Sequence, residues 1–151
     1  MKMTRQQWIP LAGLVATIAV ALYAVVQLQG QAQAPTADFT KATTVQVRDA
    51  QGRIVLQGEF TAPVEEDGEL ERRATLAPTG VDADAAGEAE VEFAKTAVTM
   101  QEVEFAVRNV EPGASFSFLI DGIDVASATS DRRGRAEVDL DVRMPGTGAS
   151  R

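Results

Sequence analysis

The sequence predicts an all-β protein: an antiparallel β-sandwich of about seven or eight strands, preceded by one N-terminal hydrophobic helix that acts as signal or anchor. Three observations carry this. Most apolar runs after residue 35 alternate with polar residues at period two, the mark of strands with one face in a core and one in water. Tight-turn residues separate the runs. Before them lies an uncharged apolar stretch, Ile9 to Val26, too uniform to be an amphipathic helix of a soluble domain.

That first stretch follows a short head carrying Lys2 and Arg5, and no acidic residue occurs before Asp38. A positive head and an apolar body form a targeting segment, and the positive charge keeps the head in the cytoplasm while the remainder is exported. Its 18 residues make a helix about 27 Å long, against a hydrocarbon core of about 30 Å. Gly30, Ala32 and Ala34 supply small residues for signal cleavage, whereas Pro35 opposes cleavage after Ala34 and the apolar body is long for a signal peptide. Residues 1–34 therefore read as a signal peptide or an uncleaved signal anchor, crossing the membrane through 9–26 if it stays. Residues 35–144 read as the exported domain and 145–151 as a flexible tail. The protein is then exported, held by one span in the inner membrane or released to the periplasm or beyond.

Within the exported part the alternation can be followed run by run. Ile54, Leu56 and Phe60 oppose Gln57 and Glu59; Leu70, Arg72, Ala74 and Leu76 share a face, as do Val91 and Phe93. Val103, Phe105 and Val107 alternate with Glu102, Glu104 and Arg108; Phe116, Phe118 and Ile120 with Ser115 and Ser117; Val138, Leu140 and Val142 with Glu137, Asp139, Asp141 and Arg143. Asp49–Arg53 and Asp131–Arg135 share the spacing D-x-x-G-R, which suits a type I turn followed by a left-handed glycine, a hairpin loop with a G1 bulge. Glu111-Pro112-Gly113 and Asp121-Gly122 are further tight turns. Val64–Gly68 and Thr79–Gly87 read as longer loops, acidic and Ala-rich. The repeated turn does not extend into its flanks, so no internal repeat is inferred.

Composition narrows function. The chain has 151 residues, no His and no Cys, which excludes Ser-His-Asp and Cys-His nucleophiles, His or thiolate metal ligands, iron–sulfur ligation and disulfides. Set aside Lys2 and Arg5, and 12 basic residues face 22 acidic ones; without a basic patch there is no nucleic-acid partner. The few Lys, the single Asn109 and the abundant Ala fit a GC-rich bacterial genome. Only oxygen ligands remain for a metal, and two acidic sets are calcium candidates: Glu65, Glu66 and Asp67 with Glu69 and Glu71, and Asp121, Asp124 and Asp131, if neighbouring hairpin loops gather them at one end of the sandwich. Glycoside hydrolysis by paired carboxylates needs sugar-stacking aromatics, but Trp8 and Tyr23 both lie in the targeting segment and every Phe of the domain except Phe39 reads as core. No enzyme, cofactor or small-molecule substrate is expected. A strand at Gln101 to Val110 reads as an edge able to accept a partner strand or, through Glu102, Glu104 and Arg108, to repel one.

Over residues 87–142 the series Gly-Glu-Ala-Glu-Val-Glu-Phe, Glu-Pro-Gly, Phe-Leu-Ile-Asp-Gly and Asp-Arg-Arg-Gly-Arg is similar to small exported bacterial domains of unknown function. It also resembles the periplasmic sandwich of membrane-anchored anti-sigma factors. That family places a sigma-binding domain ahead of its membrane helix and only eight residues precede Ile9, so the regulatory role does not transfer. The resemblance implies a β-sandwich and no particular chemistry. The expected role is a non-catalytic structural or interaction module of the bacterial envelope with a protein partner. The alternatives are a calcium-dependent binding or adhesion module and a periplasmic subunit of a larger envelope complex.

Overall fold

The computed structural model describes residues 35–96 and 98–146, all within one compact unit; the predicted signal or anchor segment lies outside them. Nine strands follow in chain order: β1 (Thr44–Asp49), β2 (Ile54–Glu59), β3 (Val64–Glu66), β4 (Glu69–Pro78), β5 (Ala86–Ala94), β6 (Met100–Arg108), β7 (Ser115–Ile120), β8 (Ile123–Thr129) and β9 (Ala136–Arg143). All pairings are antiparallel. The strands form one sheet ordered β8-β7-β1-β2-β4-β5-β6-β9, with β3 added beside β4, and the sheet bends into a nearly closed barrel. Among the described residues no helix is long and apolar enough to cross a membrane.

The predicted all-β antiparallel class is observed, with nine strands instead of seven or eight. The additional one is β3, inside the segment read as an acidic loop. There Asp67 (φ 51°) and Gly68 (φ 90°) are both left-handed, which makes a two-residue type I′ hairpin turn that matches strand twist. Asp121 (φ 48°) and Gly122 (φ 79°) do the same between β7 and β8.

Two half-sheets, β8-β7-β1-β2 and β4-β5-β6-β9, meet through a short ladder, Leu56–Pro78 and Gln57–Ala77, flanked by hydrogen bonds from Thr79 N–H to the Val55 carbonyl and from Thr61 N–H to the Arg73 carbonyl. The core between them supplies most of the attachment. Phe105 of β6 and Phe118 of β7 stack with centroids 4.9 Å apart, inside the range in which aromatic pairs attract beyond their area burial. Bulges bend the first half inwards. Val47 pairs with Leu56 but Arg48 with Ile54, so Val55 is an extra residue, and both Val55 and Leu56 become buried. Val125 plays the same part in β8.

Phe39, the one phenylalanine of the domain not assigned to the core by pattern, is 1 % exposed. It has no alternating neighbourhood because it belongs to a crossing segment, Pro35 to Thr43, which enters one end of the barrel. Gln101, itself 1 % exposed, holds that segment as a strand would: its Oε1 accepts from Phe39 N–H at 2.6 Å and its Nε2 donates to the Ala37 carbonyl at 2.8 Å. Both ends of a buried amide are thereby satisfied. The strand containing Gln101 is internal. β6 is paired on both sides, to β5 and β9, so it is not the accepting edge expected from sequence; among the described residues the ends of the sheet order are β8 and β9, and the short β3 has one partner strand.

Both D-x-x-G-R turns have the predicted left-handed glycine, and their aspartates make matching backbone contacts. Asp49 Oδ1 accepts from Gln51 N–H and Arg53 N–H, and Asp131 Oδ1 from Arg133 N–H and Arg135 N–H. Their settings differ. The first joins paired strands, while the second joins β8 to β9, which ladder with β7 and β6 instead. At Gly134 (φ 69°) a Cβ would strike the Val110 carbonyl, whereas Gly52 (φ 80°) faces open space. Gly52→Ala should therefore cost about 1 kcal/mol for the left-handed backbone alone, and Gly134→Ala about 2–4 kcal/mol once overpacking is added. Urea unfolding of both variants checks this; equal midpoints would refute the packing role of Gly134.

Candidate functional site

The registers of β4, β5, β6 and β9 run without a slip, so outward side chains line up in rows across four strands. One row is Glu71–Glu92–Glu102–Asp141 and the next Arg73–Glu90–Glu104–Asp139; a third contributes Glu88 and Glu137, and Glu69 adds to the β4 margin. Arg73 is the single cation inside these rows, bound to Glu71 and at 3.2 Å from Glu90; Arg108 and Arg143 stand at the ends of their strands. A shallow depression of about 620 Å³ runs over this face beside Arg73, Glu90, Glu104 and Asp139.

Directly opposed like charges on neighbouring strands repel, and that repulsion adds to burial in raising the carboxyls of the face. Burial, then the charge of Glu71, holds Glu90 above the ordinary carboxylate value despite Arg73. Glu92 is raised by burial and by a hydrogen bond with Glu69. Glu102 is raised by burial and by Asp139, Glu104 and Asp141 around it. Among the described residues, Glu102, Glu104 and Asp139 are the group whose carboxylate oxygens lie within 4.8 Å of one another, all three exposed; hard oxygen donors of this type suit calcium.

Of the acidic sets singled out by sequence, Glu69 and Glu71 fall on the β4 side of this face, and the others are placed elsewhere. Glu65 pairs with Lys95 at 2.7 Å, Glu66 faces Glu69 across the β3–β4 ladder, and Asp67 forms the turn. Asp121 and Asp131 flank opposite ends of β8, a seven-residue strand about 23 Å long, so the structure does not gather them. Asp121 already accepts from Thr43 N–H, Thr44 N–H at 2.8 Å and the Thr43 hydroxyl at 2.8 Å. Burial would raise its pKa, but the hydrogen bonds from Thr44 and Thr43 bring it below the ordinary value. The backbone N–H of Arg135, then that of Arg133, lowers Asp131. Burial also opposes a low value at Asp49, where hydrogen bonds and the charge of Arg53 prevail. Asp124 lies exposed on β8 opposite Leu119.

The row of acids was missed at the level of sequence because its members are scattered from position 69 to 141. The alternation marks each as outward, but only the register sets them abreast. No protein-family model, curated protein sequence or solved structure matches this chain.

These shifts have opposite signs and fix a pH optimum. Glu90, Glu92 and Glu102 are raised above 4.5, so the folded state binds their protons more tightly than the unfolded chain; that gain is complete below pH 4.5 and is lost as pH rises through the folded values. Asp49, Asp121 and Asp131 are lowered below 3.8, and their contribution is present above that value and lost as pH falls further. Melting temperature should rise on acidification from neutral pH, peak at roughly pH 4–5 and then fall. At neutral pH it should also rise with added salt, which screens the rows. A steady decline from pH 7 to 4 in a circular-dichroism melting series would contradict this.

Proposed function

We propose that the chain is an exported, non-catalytic interaction module of the bacterial envelope, its sandwich-like domain held at or released from the inner membrane by residues 1–34. Its partner is an envelope protein with a basic surface. The observation that carries the reading is the acidic face of β4-β5-β6-β9. Exposed carboxylates set abreast are unfavourable for the sheet, and Gln or Thr would fill a half-exposed strand surface equally well. A focused negative potential steers a positive partner and fixes its orientation. The targeting segment and the turn-pattern resemblance support export, and the lack of His and Cys leaves few groups for catalysis.

A second reading, calcium-dependent binding, is favoured by the convergence of Glu102, Glu104 and Asp139. One design separates the two. The triple variant Glu90→Gln/Glu102→Gln/Glu104→Gln should keep its fold and melt higher than the parent. Compared in quantitative pull-downs from native membranes, it should lose at least about tenfold of the partner that the parent captures, with and without chelator alike. Capture of the same protein in equal amount would defeat the basic-partner reading. Calorimetric heat on adding calcium, abolished in the triple variant, together with chelator-sensitive capture, would establish the second reading instead.

A further inference from the structure

The barrel is incomplete along one seam. β8 and β9 are the two ends of the sheet order, and among the described residues no ladder joins them. They are brought together at the Asp131–Arg135 turn, where Asp131 N–H donates to the Arg135 carbonyl at 2.7 Å, and Ala37 N–H meets the Arg143 carbonyl at the far end of β9. Between those points, among the described residues, both strands have an unpaired edge. The side chains beside the seam agree. Val138 and Leu140 of β9 register with Phe105 and Val103, which are 2 % and 0 % exposed, so they point inwards, yet both are only half-buried. At the ends of the same strand Ala136 and Val142 are buried. Ile123 of β8 registers with Ile120, which is fully buried, but is itself 44 % exposed; Ala126 and Ala128 are half-buried. Along this seam, inward apolar side chains of both end strands are left half-covered.

We propose that this seam accepts one extended segment of the partner protein, which adds as a strand between β8 and β9. Edge addition draws affinity from main-chain hydrogen bonds and specificity from alternate side chains. The inward positions of the incoming strand would cover Ile123, Val138 and Leu140. Its outward positions would stand beside Glu137, Asp139 and Asp141, and charge complementarity requires Lys or Arg there. The occupant is thus a segment in which small apolar residues alternate with basic ones. This deepens the basic-partner reading given above and rests on it.

The test uses the full chain and two labelled, end-blocked peptides of about nine residues, identical in composition: one alternates Lys and Val, the other carries the same residues in two blocks. Binding is followed by fluorescence anisotropy and hydrogen exchange. The alternating peptide should bind at least about tenfold tighter and slow exchange in residues 123–128 and 137–141. Leu140→Lys should remove that advantage, and Asp139→Asn/Asp141→Asn, which leaves the core untouched, should reduce it even if Leu140→Lys fails to fold. Equal binding of both peptides without protection of the seam would overturn strand addition while leaving the acidic face as a binding surface. No binding of either would remove both readings. Seam amides already protected in the free chain, and unchanged by peptide, would assign the seam to residues of the chain itself and overturn the proposal.

Discussion

The unslipped register from β4 to β9 is the constraint on which the rest of this structure depends. It sets Ala74, Ala89, Phe105 and Val138 abreast inside the barrel and, one residue along, Arg73, Glu90, Glu104 and Asp139 abreast outside. The two faces cannot be adjusted separately, because moving one strand by a single residue would exchange its buried and exposed sets. Repulsion among the outer carboxylates is therefore held in place by packing among the inner apolar residues. The face is a property of the core as much as of the surface.

Closure of the barrel relies on a few close approaches. The β2–β4 junction is short, and Gly58 is required there because a Cβ would run into the Thr75 carbonyl. Where hydrogen bonding between halves is sparse, side chains take over. Arg72, an inward-facing residue of β4, donates to the carbonyls of Thr61 and Thr40, and Gln101 fixes Ala37 and Phe39. Asp121 ties the β7–β8 turn to Thr43 and Thr44 at the start of β1. Without a disulfide, long-range order at the barrel end rests on these charge-assisted and fully satisfied polar contacts, of which the Gln101 pair is buried and strengthened by removal from water.

Period-two alternation, read from sequence, locates the interior faces of β4 to β7 and β9, and the D-x-x-G-R spacing locates two turns with left-handed glycines, though not the backbone amides that their aspartates accept or that the second joins strands that do not pair. Pairing order is not legible in the same way. β1 pairs with β7 across some seventy residues, and no local pattern distinguishes that neighbour from others. Phe39 and Gln101 escape for a related reason: each has a role that exists only once distant segments meet. β3 escapes because Glu65, Glu66 and Asp67 look like a solvated loop, although Asp-Gly between short polar runs is also a hairpin turn. The acidic rows lie between these cases, since every member is visibly outward but their adjacency comes from register.

The distribution of charge argues for a directed purpose. The half-sheet β8-β7-β1-β2 carries rows such as Asp124–Leu119–Gln46–Gln57, with one charge and with Leu119 buried, while the other half concentrates the acids. Opposed like pairs such as Glu71–Glu92, Glu92–Glu102, Glu102–Asp141, Glu90–Glu104 and Glu104–Asp139 cost about 0.2–1 kcal/mol each. Together that is about 1–5 kcal/mol, a sizeable share of the 5–15 kcal/mol by which domains are typically stable. Solubility alone would be served at lower cost by spreading the same carboxylates over both halves, beyond one another's screening length. Concentrating them on strands that run up to the seam does what dispersion cannot: it sets negative charge beside strand edges and half-covered apolar side chains. A cationic segment drawn to that region would find backbone partners and apolar contacts on arrival, so charge would govern approach while the strand edges and the core governed retention.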